Sequence, residues 1–137
     1  MAHLSIVDRS DRHNLYDNLR AALKDGKPCK SIGHNTIIHP TSDGGIAIRL
    51  HYTDVVTVYE NRLVLRTGGW WTPTTTNRMN QVLRLFDMAV RSKDYSLSLY
   101  LTRPTYQCVA PLSEGMEISF DYAEDRAPAV VIRSIAA

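Results

Sequence analysis

Two His-x-Thr triplets, His34-Asn35-Thr36 and His51-Tyr52-Thr53, are the residues best suited to carry a reaction. Histidine exchanges a proton near neutral pH, and a hydroxyl two positions on can hold a phosphate oxygen. Together the two triplets would make a two-histidine-type phosphodiesterase acting on RNA or cyclic nucleotides, one imidazole serving as general base and the other as general acid. The spacing argues against it. Only 17 positions separate the histidines (34 to 51), whereas that catalytic pattern sets its triplets on separate lobes. Asp54 also stands where an apolar residue normally follows the second triplet. Short triplets recur by chance in a chain with 5 histidines, so His34, Thr36, His51 and Thr53 are read first as strand-end residues. Catalysis is the alternative.

His34, His39, His51 and Asp54 are the candidates for a metal site, yet none forms a close pair of the His-Glu-x-x-His or Cys-x-x-Cys kind. No metal and no cofactor is expected. Asp54 is expected instead to fix a turn by accepting backbone N–H groups. Cys29 and Cys108 are taken as reduced thiols without a chemical role.

The second constellation surrounds Gly68-Gly69-Trp70-Trp71 and the run Thr74-Thr75-Thr76. Glycines ahead of a helix permit close backbone approach, and a helix N-terminus attracts anions. The Walker pattern is absent, because no lysine follows the glycines. A looser anion site made by Thr74, Thr75, Thr76 and Arg78 is the expectation, with helix capping by a threonine as the plainer reading. Residues 61 to 93 carry six basic side chains (Arg62, Arg66, Arg78, Arg84, Arg91, Lys93) against one acid, Asp87; residues 94 to 137 carry three bases against six acids. Basic groups beside Trp70 and Trp71 suit phosphates and unpaired bases, although one indole is expected to anchor the core. The acidic tail, with Glu124-Asp125 beside Tyr122, offers a surface able to imitate nucleic-acid charge toward a basic protein. The ligand-binding residues expected are therefore Trp70, Trp71, Thr74, Thr75, Thr76, Arg78 and Arg84.

These groups need a scaffold. At 137 residues, 44% hydrophobic and 22% charged, the chain is expected to fold as one domain spanning 1–137 without disulfides. Its apolar runs are too short to cross a bilayer, and no secretory signal opens the sequence, so a cytoplasmic location is expected. Leu15, Leu19, Ala22 and Leu23 predict an N-terminal helix, stopped at Gly26-Lys27-Pro28. Four strands follow, at 36–39, 46–50, 54–59 and 62–66, with connections short enough to require an antiparallel meander. Met79, Val82, Leu83, Phe86, Ala89 and Val90 predict an amphipathic helix roofing that meander, with Arg78, Arg84 and Arg91 turned away from it. Strands at 96–101, 105–110, 116–122 and 129–135 complete an α+β fold: an antiparallel β-meander packed against an amphipathic helix, with an N-terminal helix and C-terminal strands.

From Ile32 to Asn80 the chain resembles a family of small bacteriophage and prophage proteins. The residues that carry this are Ile32-Gly33-His34-Asn35-Thr36, the stretch from Ile46 to Thr57, Thr67-Gly68-Gly69-Trp70, and Thr74 to Asn80. The family has Asn in place of His34 and one Trp in place of Trp70-Trp71, so neither His34 nor Trp71 inherits a role. The resemblance implies an accessory protein made in a bacterial host. By analogy with other such proteins it would act by binding, as a counter-defence (anti-CRISPR-type) inhibitor or a ligand-sequestering protein. The partner would be a host protein or an anionic ligand, either nucleic acid or nucleotide; no membrane is involved, and a homo-oligomer is left open.

Overall fold

The computed structural model describes residues 4–69, 71–93, 96–120 and 131–133. Two helices, α1 (Leu15–Ala22) and α2 (Pro73–Leu83), accompany ten strands: β1 (Lys30–Gly33), β2 (Thr36–Pro40), β3 (Ile46–Leu50), β4 (Thr53–Val58), β5 (Arg62–Leu65), β6 (Met88–Lys93), β7 (Ser96–Leu101), β8 (Gln107–Pro111), β9 (Met116–Ser119) and β10 (Val131–Arg133). The larger sheet has the order β1-β2-β3-β4-β5-β9-β10, and a second sheet has the order β6-β7-β8. Every pairing is antiparallel. The meander expected from sequence is β2 to β5, whose last hairpin closes through Tyr59 N–H donating to the Arg62 carbonyl at 2.9 Å.

Register explains why this pairing holds. Ile38 faces Ile48, Ile48 faces Val56, Val56 faces Leu65 and Leu65 faces Met116, so one row crosses five strands. All five side chains are at most 1% exposed, and each contributes about 1.5–3 kcal/mol by leaving water. A slip of one position would turn the whole row to the other face. Leu15 and Leu19 of α1, and Met79, Val82 and Leu83 of α2, join the same core.

The amphipathic helix is shorter than its apolar spacing suggests. Helix α2 ends at Leu83, a 3-10 turn covers Arg84–Phe86, and Asp87 adopts a left-handed conformation (φ 58) that breaks the helical path. Ala89 and Val90, expected in its last turn, instead join Met88 in β6 against β7. Val90, which fits a 3.6 period counted from Phe86, fits equally a strand beginning after Asp87. Asn80 fixes the junction by donating to the Val90 carbonyl (3.0 Å) and accepting from the Val90 N–H (2.7 Å). Arg91 therefore lies on a strand, not on the helix. Strand β1 was not expected from its polar sequence, two of whose four residues are exposed; it is held by pairing with β2.

Candidate functional site

The turns that carry the two triplets do meet. Asn35 and His51 both occupy the left-handed region (φ 52 and 54), which closes each hairpin tightly. His51 N–H donates to the Asn35 carbonyl at 3.0 Å, tying the β1–β2 turn to the β3–β4 turn. The side chains do not assemble into a two-histidine centre. A His-x-Thr on a strand would present both groups on one face, but His34 sits in a turn and is exposed, while Thr36 is 1% exposed. The Thr36 hydroxyl donates to the His34 carbonyl (2.9 Å) and accepts from Arg78 Nε (2.9 Å), so it is committed within the protein.

That arrangement corrects the expectation for Arg78. Instead of facing solvent, Arg78 is 3% exposed, and its second guanidinium nitrogen donates to the His34 carbonyl at 3.2 Å. It buttresses the β1–β2 turn against α2. Arg84 is displaced for a different reason: it caps the far end of α2, about 15 Å along the axis from Thr74 at 1.5 Å per residue. There it donates to Asp8 at 2.8 Å. Neither arginine lines a cleft at the helix start. Asp54 also differs from expectation. Its Oδ1 accepts from His39 Nε2 and Arg49 Nε, both at 2.9 Å, rather than from backbone N–H groups. Partial burial opposes its ionisation, but the His39 and Arg49 hydrogen bonds and charges outweigh that and hold the carboxyl below its ordinary pKa. Among the described residues no group of three or more His, Cys, Asp or Glu side chains gathers to hold a metal.

What does assemble is a cleft of about 440 Å³ at the start of α2. One wall is the β3–β4 turn with His51, Tyr52 and Thr53; the other is Thr72, Thr74 and Thr75, with Leu50, Val55 and Thr67 at its base. The helix start is built by capping chemistry. Thr72 is the N-cap, its hydroxyl accepting from Thr75 N–H at 3.2 Å, and Pro73 takes the first helical position, where no N–H is needed. Thr76 N–H donates to the Thr72 carbonyl (3.2 Å), and the Thr76 hydroxyl donates to the same carbonyl and to Pro73. In this first turn Pro73 has no N–H to satisfy and the Thr75 N–H is met by the Thr72 hydroxyl. The threonine run caps a helix first and lines a cleft second.

Glu114, in the β8–β9 connection, positions the loop entering α2. Its carboxylate accepts from the Thr67 N–H (2.7 Å), the Thr67 hydroxyl and the Gly68 N–H (3.1 Å). Desolvation works against the charge, but these hydrogen bonds and nearby Arg66 outweigh it, so the Glu114 pKa is lowered. Gly68 (φ 62) passes so close to Thr53 that a Cβ there would lie 2.6 Å from the Thr53 hydroxyl oxygen. Only glycine fits both the conformation and the contact.

Two aromatic side chains stand out from this region: Tyr52 is 96% exposed and Trp71 is 57% exposed. Trp71 lines a second cleft of about 560 Å³ with Thr72, Thr76, Arg91 and Ser92, and Thr72 belongs to both clefts. Sequence reasoning named Trp71, Thr74, Thr75 and Thr76 but missed Tyr52, Thr67, Thr72 and Glu114. A large aromatic in a two-residue turn has nowhere to bury, and that signal would have found Tyr52. Nothing local marks Glu114, which reaches Thr67 across 47 positions. Trp70, and the acidic tail residues Tyr122, Glu124 and Asp125, lie outside the described residues.

No helix among the described residues is long and apolar enough to cross a membrane. No curated protein and no solved structure matches the chain. The model of one family, described as Kyanoviridae Gp96 protein, matches residues 13–119, which takes in the meander, both turns and the whole of α2. The chain belongs to this family of bacteriophage proteins.

Proposed function

We propose that this phage protein works by binding, and that its partner docks on the face around the start of α2. The observation that carries this reading is the pair of exposed aromatics, Tyr52 and Trp71, standing beside two clefts that share Thr72. A small domain gains nothing in stability from holding a phenol and an indole in water, whereas both are the usual anchors of an interface. The threonine-lined cleft suits a planar ring with a few polar atoms; beside Trp71, Arg91 supplies a cation for a phosphate or a carboxylate. A protein side chain or a nucleotide base meets that description, which supports a host protein or a nucleotide-like ligand as the partner. In a phage protein made in its host, the corresponding role is counter-defence inhibition or sequestration of a signalling ligand.

The test is affinity capture from host extract, with and without nuclease, comparing the wild type with Tyr52→Ala/Trp71→Ala. A partner that the wild type captures and the double variant loses, at unchanged melting temperature, supports the reading. A partner retained equally by both removes this face from consideration. The phosphodiesterase alternative keeps one observation in its favour, the His51–Asn35 bond that brings the triplets together. It lacks a free Thr36 hydroxyl, and unchanged function in both His34→Ala and His51→Ala would eliminate it.

A further inference from the structure

A second surface, away from the aromatic face, has a different character. A cleft of about 510 Å³ is lined by Arg9, Lys24, Lys27 and Lys30, with Ser5 and Asn18 between them and no carboxylate among the described residues that line it. The four cations come from separate parts of the chain: the 3-10 turn Val7–Arg9, the 3-10 turn Lys24–Gly26, the loop after it, and β1. A basic residue following α1 is explained by the negative end of its dipole. That rule does not account for Arg9 or Lys30, which reach the same cleft from elsewhere. None of the four belongs to an ion pair among the described residues. Arg9 is also held in place, its Nε donating to the Ser5 carbonyl at 2.9 Å. Gathering like charges costs free energy through mutual repulsion, so the fold carries here a potential that an anion would relieve.

The cleft continues into a neighbour. A further cleft of about 510 Å³ shares Lys27 and adds Arg20 and Tyr16. Five cations therefore lie along two adjoining concavities, an arrangement that follows an extended polyanion rather than a compact one. Among the described residues the first cleft has no aromatic lining on which to stack a base, and Tyr16 in the second is tied down by its hydroxyl donating to the Gly44 carbonyl at 2.8 Å. We infer that the groove of Arg9, Lys24, Lys27, Lys30 and Arg20 binds the phosphodiester backbone of a nucleic-acid strand without regard to its sequence. The groove is separate from the aromatic face, because the Asp8–Arg84 pair ties the segment carrying Arg9 to the far end of α2. The inference stands whether or not Tyr52 and Trp71 dock a partner.

The experiment is fluorescence anisotropy of a labelled single-stranded oligonucleotide with the full chain, from 50 to 200 mM salt. Parallel arms use inorganic polyphosphate and anionic lipid vesicles. Five phosphate contacts give a slope of about −3.5 in log affinity against log salt, a loss of about 130-fold over that range. Lys24→Gln/Lys27→Gln should lower the slope to about −2.1, leaving a loss of about 18-fold, while Tyr52→Ala/Trp71→Ala should bind as the wild type does. Both lysines are exposed, so circular dichroism should show an intact fold. Binding of polyphosphate or vesicles but not of the oligonucleotide would overturn the inference. So would an affinity unmoved by salt, or unmoved by the lysine substitutions.

Discussion

Removing the Glu114 carboxylate should loosen the wall of the threonine cleft, by an amount that can be worked from its partners. Thr67 is 1% exposed, and both its N–H and its hydroxyl donate to Glu114. In Glu114→Ala these two donors lose their acceptor, at about 1–3 kcal/mol for each buried donor left unpaired. Glu114 itself is exposed, so water partly refills the space and the lower end applies: about 2 kcal/mol in all. Gly68 N–H is exposed to solvent and adds little. For a chain of this size the loss corresponds to a fall in melting temperature of about 8 °C. Glu114→Gln keeps one carbonyl acceptor and should lose about half as much. The pH dependence has a definite sign. The Glu114 pKa is lower in the folded protein than the ordinary value of 4.5, so its stabilisation is full above the unfolded pKa and disappears as pH falls through the folded one. The stability difference between wild type and Glu114→Gln, measured by urea denaturation from pH 7 downward, should therefore shrink below pH ~4.5. A Glu114→Ala loss under about 0.5 kcal/mol, at the level of an ordinary surface substitution, would refute the reasoning. A difference independent of pH would do the same.

Two arginines expected at one site should behave differently from each other. Arg78→Ala should cost about 2–3 kcal/mol, because it empties a buried position and removes two charge-assisted hydrogen bonds, whereas Arg84→Ala, at a half-exposed surface pair, should stay within about 1 kcal/mol. Equal effects in urea denaturation would mean that Arg78 is not a buttress. Gly68→Ala should cost about 2 kcal/mol, since it strains a left-handed residue and drives a methyl into Thr53; a neutral substitution would show that the loop shifts freely.

The meander was legible because its apolar residues alternate between short turns, and a period of two leaves few other ways to bury Ile46, Ile48 and Leu50. Capping of α2 by a threonine was legible too, from Pro73 and the run beside it. The end of that helix was not. Asp87 is an ordinary residue in an uncommon conformation, and the apolar positions around it satisfy a helix and a strand equally well. Arg78 misled because a guanidinium is presumed solvated unless its partner is known. Here the partners are a hydroxyl and a backbone carbonyl more than 40 positions away, at Thr36 and His34. The basic groove escaped notice because Arg9, Arg20, Lys24, Lys27 and Lys30 are interspersed in sequence with Asp8, Asp11, Asp17 and Asp25. Local charge there looks balanced until the fold brings the cations together.

Hydrogen exchange on the protein with and without its captured partner tests docking at the start of α2 most directly. Slowed exchange confined to the β3–β4 turn at Tyr52 and to the segment from Trp71 through Thr76 is the outcome expected. Protection elsewhere, with these two segments exchanging as in the free protein, would contradict it.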